Sequence, residues 1–324
     1  MDREKAQRIL SAFTGKKIVV VGDMMLDEYI WGQTSRISPE APVLVVDVNS
    51  YSHVPGGAAN VVNNICALGG TASVVGVVGC DEAGRQLTEA LLVEGADTTG
   101  LVEVTNRPTT RKTRVIAHSQ QVVRVDHENR TPLDEATVSA LTERIFEKTR
   151  ECDGVLISDY QKGVVTPRVL AACLKGAMNK PITGNLKPST VGPHSKLTVI
   201  TLNLLEASQA LGLQSISSED DIREAGIELL KLSNATHILI TQGSNGLTLF
   251  SSANPTQSFH VPPRPVAVYD AAGAGDTVIT TLTMALVVGA SPEDAVELAN
   301  YAAAETVKKL GVTTVNQNEI LAGI

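Results

Sequence analysis

The sequence predicts an α/β fold built on a mainly parallel central sheet, with a small β-sheet inserted into it. Three observations carry this expectation. Short apolar runs closed by Gly or Asp recur along the chain, stretches of helical period alternate with them, and two segments keep strand alternation with no helix between.

Taken in order, "MDREKAQRILSAF" reads as a charged amphipathic helix, and "KKIVVVGD" (16–23) as a strand buried on both faces of a parallel sheet. "GGAANVVNNICALGG" is a glycine-led helix, "TASVVGVVG" a strand and "DEAGRQLTEALLVEG" a helix. The alternation recurs in "DGVLISD", "TPRVLAACLKGAM", "LTVITLN" and "SEDDIREAGIELLKLS". "APVLVVDVNSYSHV" (41–54) and "TTRKTRVIAHSQQVVRVD" (109–126) interrupt it. They predict a small antiparallel sheet with strands from about 37–54 and 109–126. With no Pro/Ser-rich linker, low-complexity stretch or solenoid repeat, residues 1–324 read as one domain.

Composition narrows the function. A chain of 324 residues with 43% hydrophobic content can bury a sizeable core. Its 27 basic and 35 acidic residues leave a net charge of -8, with no basic run and 3% aromatics, so the footprint of a nucleic-acid binder is missing and a small-molecule partner is expected. Cys66, Cys80, Cys152 and Cys173 form no CxxC pair, which argues against structural zinc or a disulfide framework and suits a reducing cytoplasm. There is no apolar signal core and no uninterrupted apolar run near the roughly 18 residues of a membrane span, so a soluble, cytoplasmic protein is expected.

Chemistry concentrates in "VYDAAGAGDTVITTLTMAL" (268–286). Small residues before an apolar helix place free N–H groups at a helix N-terminus, which is a ready anion site. Asp276, in the first turn, is placed to accept a proton from an attacking hydroxyl, and anion hole plus base is the minimum apparatus of phosphoryl transfer. The other reading of this segment is a helix capped by Asp276 after a glycine turn.

The chain resembles the ribokinase-like (PfkB) carbohydrate kinases. Their signature Asp-x-x-Gly-Ala-Gly-Asp matches Asp270 to Asp276, and their N-terminal glycine signature matches "PGGAANVVNNICALGG". Within the family it is similar to the D-glycero-β-D-manno-heptose-7-phosphate kinases through "GDMMLDEYIWGQTSRISPEAPVLVV", "SDYQKG" and "KLGVTTV". The resemblance implies a three-layer α/β/α sandwich whose inserted sheet is a lid over the sugar and a dimer contact. It implies transfer of the ATP γ-phosphoryl to O1 of the heptose 7-phosphate, a step toward ADP-heptose and lipopolysaccharide. Other PfkB acceptors, or a non-catalytic nucleotide or sugar binder, remain as alternatives.

The resemblance also assigns residues. Asp276 would be the base, and Gly273, Ala274 and Gly275, with Ala272, the anion hole. Asp23 and Asp27 would hold sugar hydroxyls opposite Gly56, Gly57 and Asn60, although Asp27 also reads as a solvated loop charge. Asp159 and Lys162 of "SDYQKG" would join the acceptor site. Lys112 and Arg114 share a strand face and, with Arg36 and Arg124, are candidate phosphate ligands or simply solvated edge charges. Asn203 and Glu206, on one helix face, would position Mg2+ through water, a monovalent cation being a further candidate. Lys187, Asn203, Glu206, Thr241, Gly243, Gly246, Gly273, Gly275 and Asn300 would approach ATP, though "TQGSNG" also reads as an ordinary turn between strands. Three departures stand out: Asn185 in place of an acid, Leu202 in place of Pro and Ala272 in place of Thr. No His-x-Gly-His motif is present, so no nucleotidyltransferase domain is expected.

Overall fold

A computed structural model describes residues 1–118, 120–193 and 196–324. Along the first half the elements are α1 (Arg3–Ser11), β1 (Lys17–Gly22), β2 (Met24–Ile37), β3 (Leu44–Gly57), α2 (Ala58–Ala67), β4 (Thr71–Gly79), α3 (Glu82–Val93), β5 (Asp97–Val104), β6 (Thr110–Ala117), β7 (Gln120–His127) and α4 (Glu135–Thr149). There follow β8 (Gly154–Ser158), α5 (Pro167–Ala177), β9 (Ile182–Asn185), β10 (Val199–Asn203), α6 (Leu204–Ala210), α7 (Glu219–Ser233), β11 (His237–Thr241), β12 (Leu247–Ser251), β13 (Asn254–Val261), α8 (Ala274–Val287), α9 (Pro292–Thr306) and α10 (Gln317–Ala322).

Nine strands make the main sheet in the order β13-β12-β11-β10-β9-β8-β1-β4-β5. It is parallel from β11 to β5; β12 runs against these strands, and β13, antiparallel to β12, turns back to their direction at the edge. Period-2 geometry explains the apolar runs. Along β1, Ile18 and Val20 point into a core shared with α1, α2, α8 and α9, while Val19 and Val21 point into a second core against α4, α5 and α7. Strands buried on both faces between helices make three layers, and each fully buried Val or Ile contributes about 1.5–3 kcal/mol.

The small sheet corrects the expectation in two respects. Its order is β3-β2-β6-β7, so it begins with "MMLDEYIWGQTSRI", and it is mixed rather than antiparallel because β2 and β6 pair parallel. The reason lies in the main sheet. β2 leaves β1 after one residue and β6 follows β5 after a short linker; β1 and β5 run the same way, so their continuations do too.

No helix among the described residues is long and apolar enough to cross a membrane.

Candidate active site

Five consecutive strands of the main sheet, β1, β8, β9, β10 and β11, end at the same edge, and the residues at or just beyond their ends are Asp23, Asp159 with Tyr160, Lys187, Asn203 and Gln242. The carboxyl ends of parallel strands are where α/β sheets open a crevice. Tyr160, Lys187, Asn203, Glu206, Thr241 and Asp276 line a cleft there, and Asn185, Leu202, Gly273 and Gly275 complete its wall.

Asp276 is the centre of the arrangement. It occupies the third position of α8 behind an N-cap of Gly273, whose φ of 80° is a left-handed value that glycine adopts without strain. Its side chain does not cap the helix, so the capping reading falls. Instead Oδ2 accepts from Asn60 Nδ2 at 2.7 Å and Oδ1 accepts from the Tyr160 hydroxyl at 2.6 Å. The residue is 6% exposed. Burial pushes its pKa above the usual carboxylate value, against the pull of Tyr160, Asn60 and Lys187.

The turn expected to bind an anion leaves fewer amides free than its sequence suggests. Ala272 N donates to Asp270 Oδ1 at 2.9 Å and Ala274 N to the Ala271 carbonyl at 3.3 Å, so both amides are engaged. Gly273 and Gly275 are the members of the turn that face the cleft.

Asn60 is itself held. Asn64 donates to its backbone and side-chain oxygens, and Thr277 donates to Asn64 at 3.0 Å. Asn60 therefore holds the Asp276 carboxylate rather than forming a separate wall.

The two N-terminal acids separate. Asp27 is 5% exposed and pairs with Arg114 at 2.7 Å, so the solvated-charge reading fails. A Cβ at Gly56 would collide with this carboxylate, which is why the strand needs a glycine there. Asp23 accepts instead from the amides of Tyr160, Lys162 and Val164, and burial raises its pKa despite them. It braces the 160–164 loop through these three backbone bonds. A Cβ at Gly57 would meet the Asp23 carbonyl.

Asp159 and Lys162 are likewise committed within the protein. Asp159 accepts from Gln161 N, Lys187 N and Thr190 Oγ1, and Lys162 Nζ pairs with Glu128 at 2.6 Å. Arg124 pairs with Asp126 on the exposed edge, and Arg36 is exposed. Lys112 differs: no ion pair within 4 Å is formed among the described residues, its Nζ lies 5.9 Å from the Tyr160 ring centroid, and burial lowers its pKa.

Asn203 and Glu206 are not two side chains on one helix face. Asn203 is the N-cap of α6 and Glu206 its third residue, and together they form a capping box while Glu206 also pairs with Lys187. Among the described residues no three His, Cys, Asp or Glu side chains cluster as a metal cage. Both Glu206 oxygens already accept hydrogen bonds, a donor set that suits Mg2+ held through water and phosphate rather than by direct protein ligation.

Thr241 lines the cleft, but Gly243 and Gly246 lie beyond it in the β11–β12 turn. Gly246, at φ 89°, leaves room for the Val261 carbonyl, which favours the ordinary-turn reading. Asn300 donates to the Pro262 carbonyl at 2.9 Å and ties α9 to the chain after β13, outside the cleft lining.

Tyr160 was not singled out by sequence, although it sits inside "SDYQKG" between two candidates. Only the fold reveals that its hydroxyl reaches a carboxylate 116 positions away.

Comparison with known proteins adds three findings. Residues 15–319 match the pfkB family carbohydrate kinase profile. The "Bifunctional protein HldE" of Desulfatibacillum aliphaticivorans is 42% identical over 315 residues, which is 97% of this chain and 64% of that protein, so the chain spans about two thirds of its length. Two solved structures share the fold. Escherichia coli phosphofructokinase-2 in complex with potassium has a TM-score of 0.78 at 20% identity, covering 95% of this chain and 98% of the other. Arabidopsis thaliana ribokinase complexed with ribose and ATP has 0.73 at 19%, covering 96% and 98%.

Proposed function

The chain belongs to the pfkB family of carbohydrate kinases and is a sugar kinase, and from that premise we propose that it transfers the γ-phosphoryl of ATP to O1 of D-glycero-β-D-manno-heptose 7-phosphate. The observation that carries the chemistry is Asp276, a buried carboxylate held between Asn60 and Tyr160 at a helix N-terminus. The acceptor hydroxyl gives its proton to this carboxylate as its oxygen attacks the γ-phosphorus, and the bond from that phosphorus to the β–γ bridging oxygen breaks to release ADP. N–H groups of Gly273 and Gly275, with Lys187 in the same cleft, take up charge on the transferring group. Asn203 and Glu206 would hold the water shell of a Mg2+ ion bound with the triphosphate, which would supply neutralisation of phosphate charge.

The heptose acceptor is supported by the 22–46 stretch and by the likeness to HldE across 97% of the chain. Lys112, on the sheet face shared with Asp27 and Arg114, supplies a cation for the 7-phosphate. A second reading, another sugar within the same family, draws on the Asp27–Arg114 pair, which already occupies one of the two cations a phosphate would use.

The other face of the small sheet exposes Tyr51, Val123 and Val125 at 62%, 48% and 55%. An apolar face of this kind on a four-stranded sheet suits a second copy of the chain, giving a homodimer. ATP-dependent turnover across heptose 7-phosphate, hexose phosphates, ribose and nucleosides tests the acceptor. Fastest turnover of heptose 7-phosphate supports the proposal, and a clear preference for another sugar replaces it.

A further inference from the structure

We propose that Tyr160 is a positioning residue for phosphoryl transfer, its hydroxyl orienting the Asp276 carboxylate while its ring meets the two lysines of the site. The inference rests on the reading of Asp276 as the base. Its own support is geometric. The hydroxyl lies 2.6 Å from Oδ1, and Oδ2 is taken by Asn60, so both oxygens are oriented before any acceptor arrives. The ring has Lys112 of the small sheet at 5.9 Å and Lys187 of the cleft wall at 5.5 Å, so one side chain contacts both cations and the base. The backbone holding Tyr160 is fixed too, because its amide donates to buried Asp23 at 2.8 Å. A carboxylate that must take a proton from one direction gains from having its rotation fixed.

The hydroxyl stays protonated, since burial and the adjoining Asp276 push the Tyr160 pKa well above its ordinary value. As a donor it favours the ionised carboxylate. The other groups facing Asp276 are Asn60 from α2, Lys187 after β9 and Asp27 from β2.

Tyr160→Phe keeps the ring and both lysine contacts and removes only the hydroxyl. On the panel sugar that the unmodified chain phosphorylates fastest, kcat is expected to fall about ten-fold, the worth of one charge-assisted hydrogen bond. The acceptor KM should stay within about two-fold, because the lost interaction acts on the base. The acid limb of kcat/KM should move to higher pH. Tyr160→Leu, which also removes the ring, should add a rise in the acceptor KM. A carboxyl 13C titration, with the Asp276 signal identified by its absence from Asp276→Asn, reads the same upward shift in Tyr160→Phe without turnover. An Asp276 titration and a kcat unchanged in Tyr160→Phe would overturn the proposal whichever sugar is the acceptor. Full activity of Asp276→Asn would overturn it from the other side, by removing the base reading beneath it.

Discussion

Asn60 donates to the Asp276 carboxylate at 2.7 Å, so the glycine motif that opens α2 and the one that opens α8 meet at a single side chain across 216 positions. Both motifs therefore shape one carboxylate, the proposed base, and the consequences can be measured.

Lys112→Ala separates phosphate binding from chemistry. Its ammonium has no ion-pair partner within 4 Å among the described residues, and it faces the same side of the small sheet as Asp27. The acceptor KM should rise about ten-fold or more for a sugar phosphate, with kcat nearly unchanged and the KM for ATP unaffected. Steady-state kinetics with both substrates varied checks this. An equal effect on a sugar lacking the phosphate would contradict it.

The pH profile carries the environment of Asp276. Burial raises its pKa above the ordinary carboxylate value, and only the ionised form accepts a proton. Activity is therefore present above the raised pKa and lost as pH falls through it, so the acid limb of kcat/KM should lie above the ordinary carboxylate range. A limb at or below that range would count against Asp276 as the base.

Gly246→Ala tests the turn that sequence assigned to nucleotide binding. The new Cβ would strain φ 89° and strike the Val261 carbonyl, so the expected effect is a loss of about 1–3 kcal/mol in thermal or urea unfolding. ATP affinity of the folded fraction should change little. A large loss of ATP affinity at unchanged stability would return the residue to the nucleotide site.

Val123→Glu places a charge in the apolar outer face of the small sheet, where Val123 is 48% exposed. Sedimentation at micromolar concentration should show a dimer for the unmodified chain and a monomer for the variant. A monomer in both would remove the dimer proposal.

Much of this was legible in the sequence because the signals are local. Apolar runs such as "KIVVVG" record burial on both faces, and "GAGD" before an apolar helix records a glycine turn into a helix with an acid in its first turn. What sequence did not disclose depends on distant partners. Asp23, Asp159 and Lys162 carry the right chemistry, yet backbone amides, Thr190 and Glu128 engage them, and no local pattern announces that. Asn203 and Glu206 have the spacing of a capping box as much as of a metal site, and the fold uses it as a capping box. The parallel pairing of β2 with β6 depends on the directions of β1 and β5 in another sheet, and Tyr160 becomes a partner of Asp276 only once β8 lies near α8.

The central claim is that Asp276 deprotonates O1 of a heptose 7-phosphate. It is tested most directly by 31P NMR of D-glycero-β-D-manno-heptose 7-phosphate incubated with ATP, Mg2+ and either the unmodified chain or Asp276→Asn. The account predicts a new anomeric phosphate signal with the unmodified chain, and a rate about 10²- to 10⁴-fold lower with the variant. Near-normal product from Asp276→Asn would contradict the mechanism, and no anomeric phosphate from either protein would contradict the acceptor.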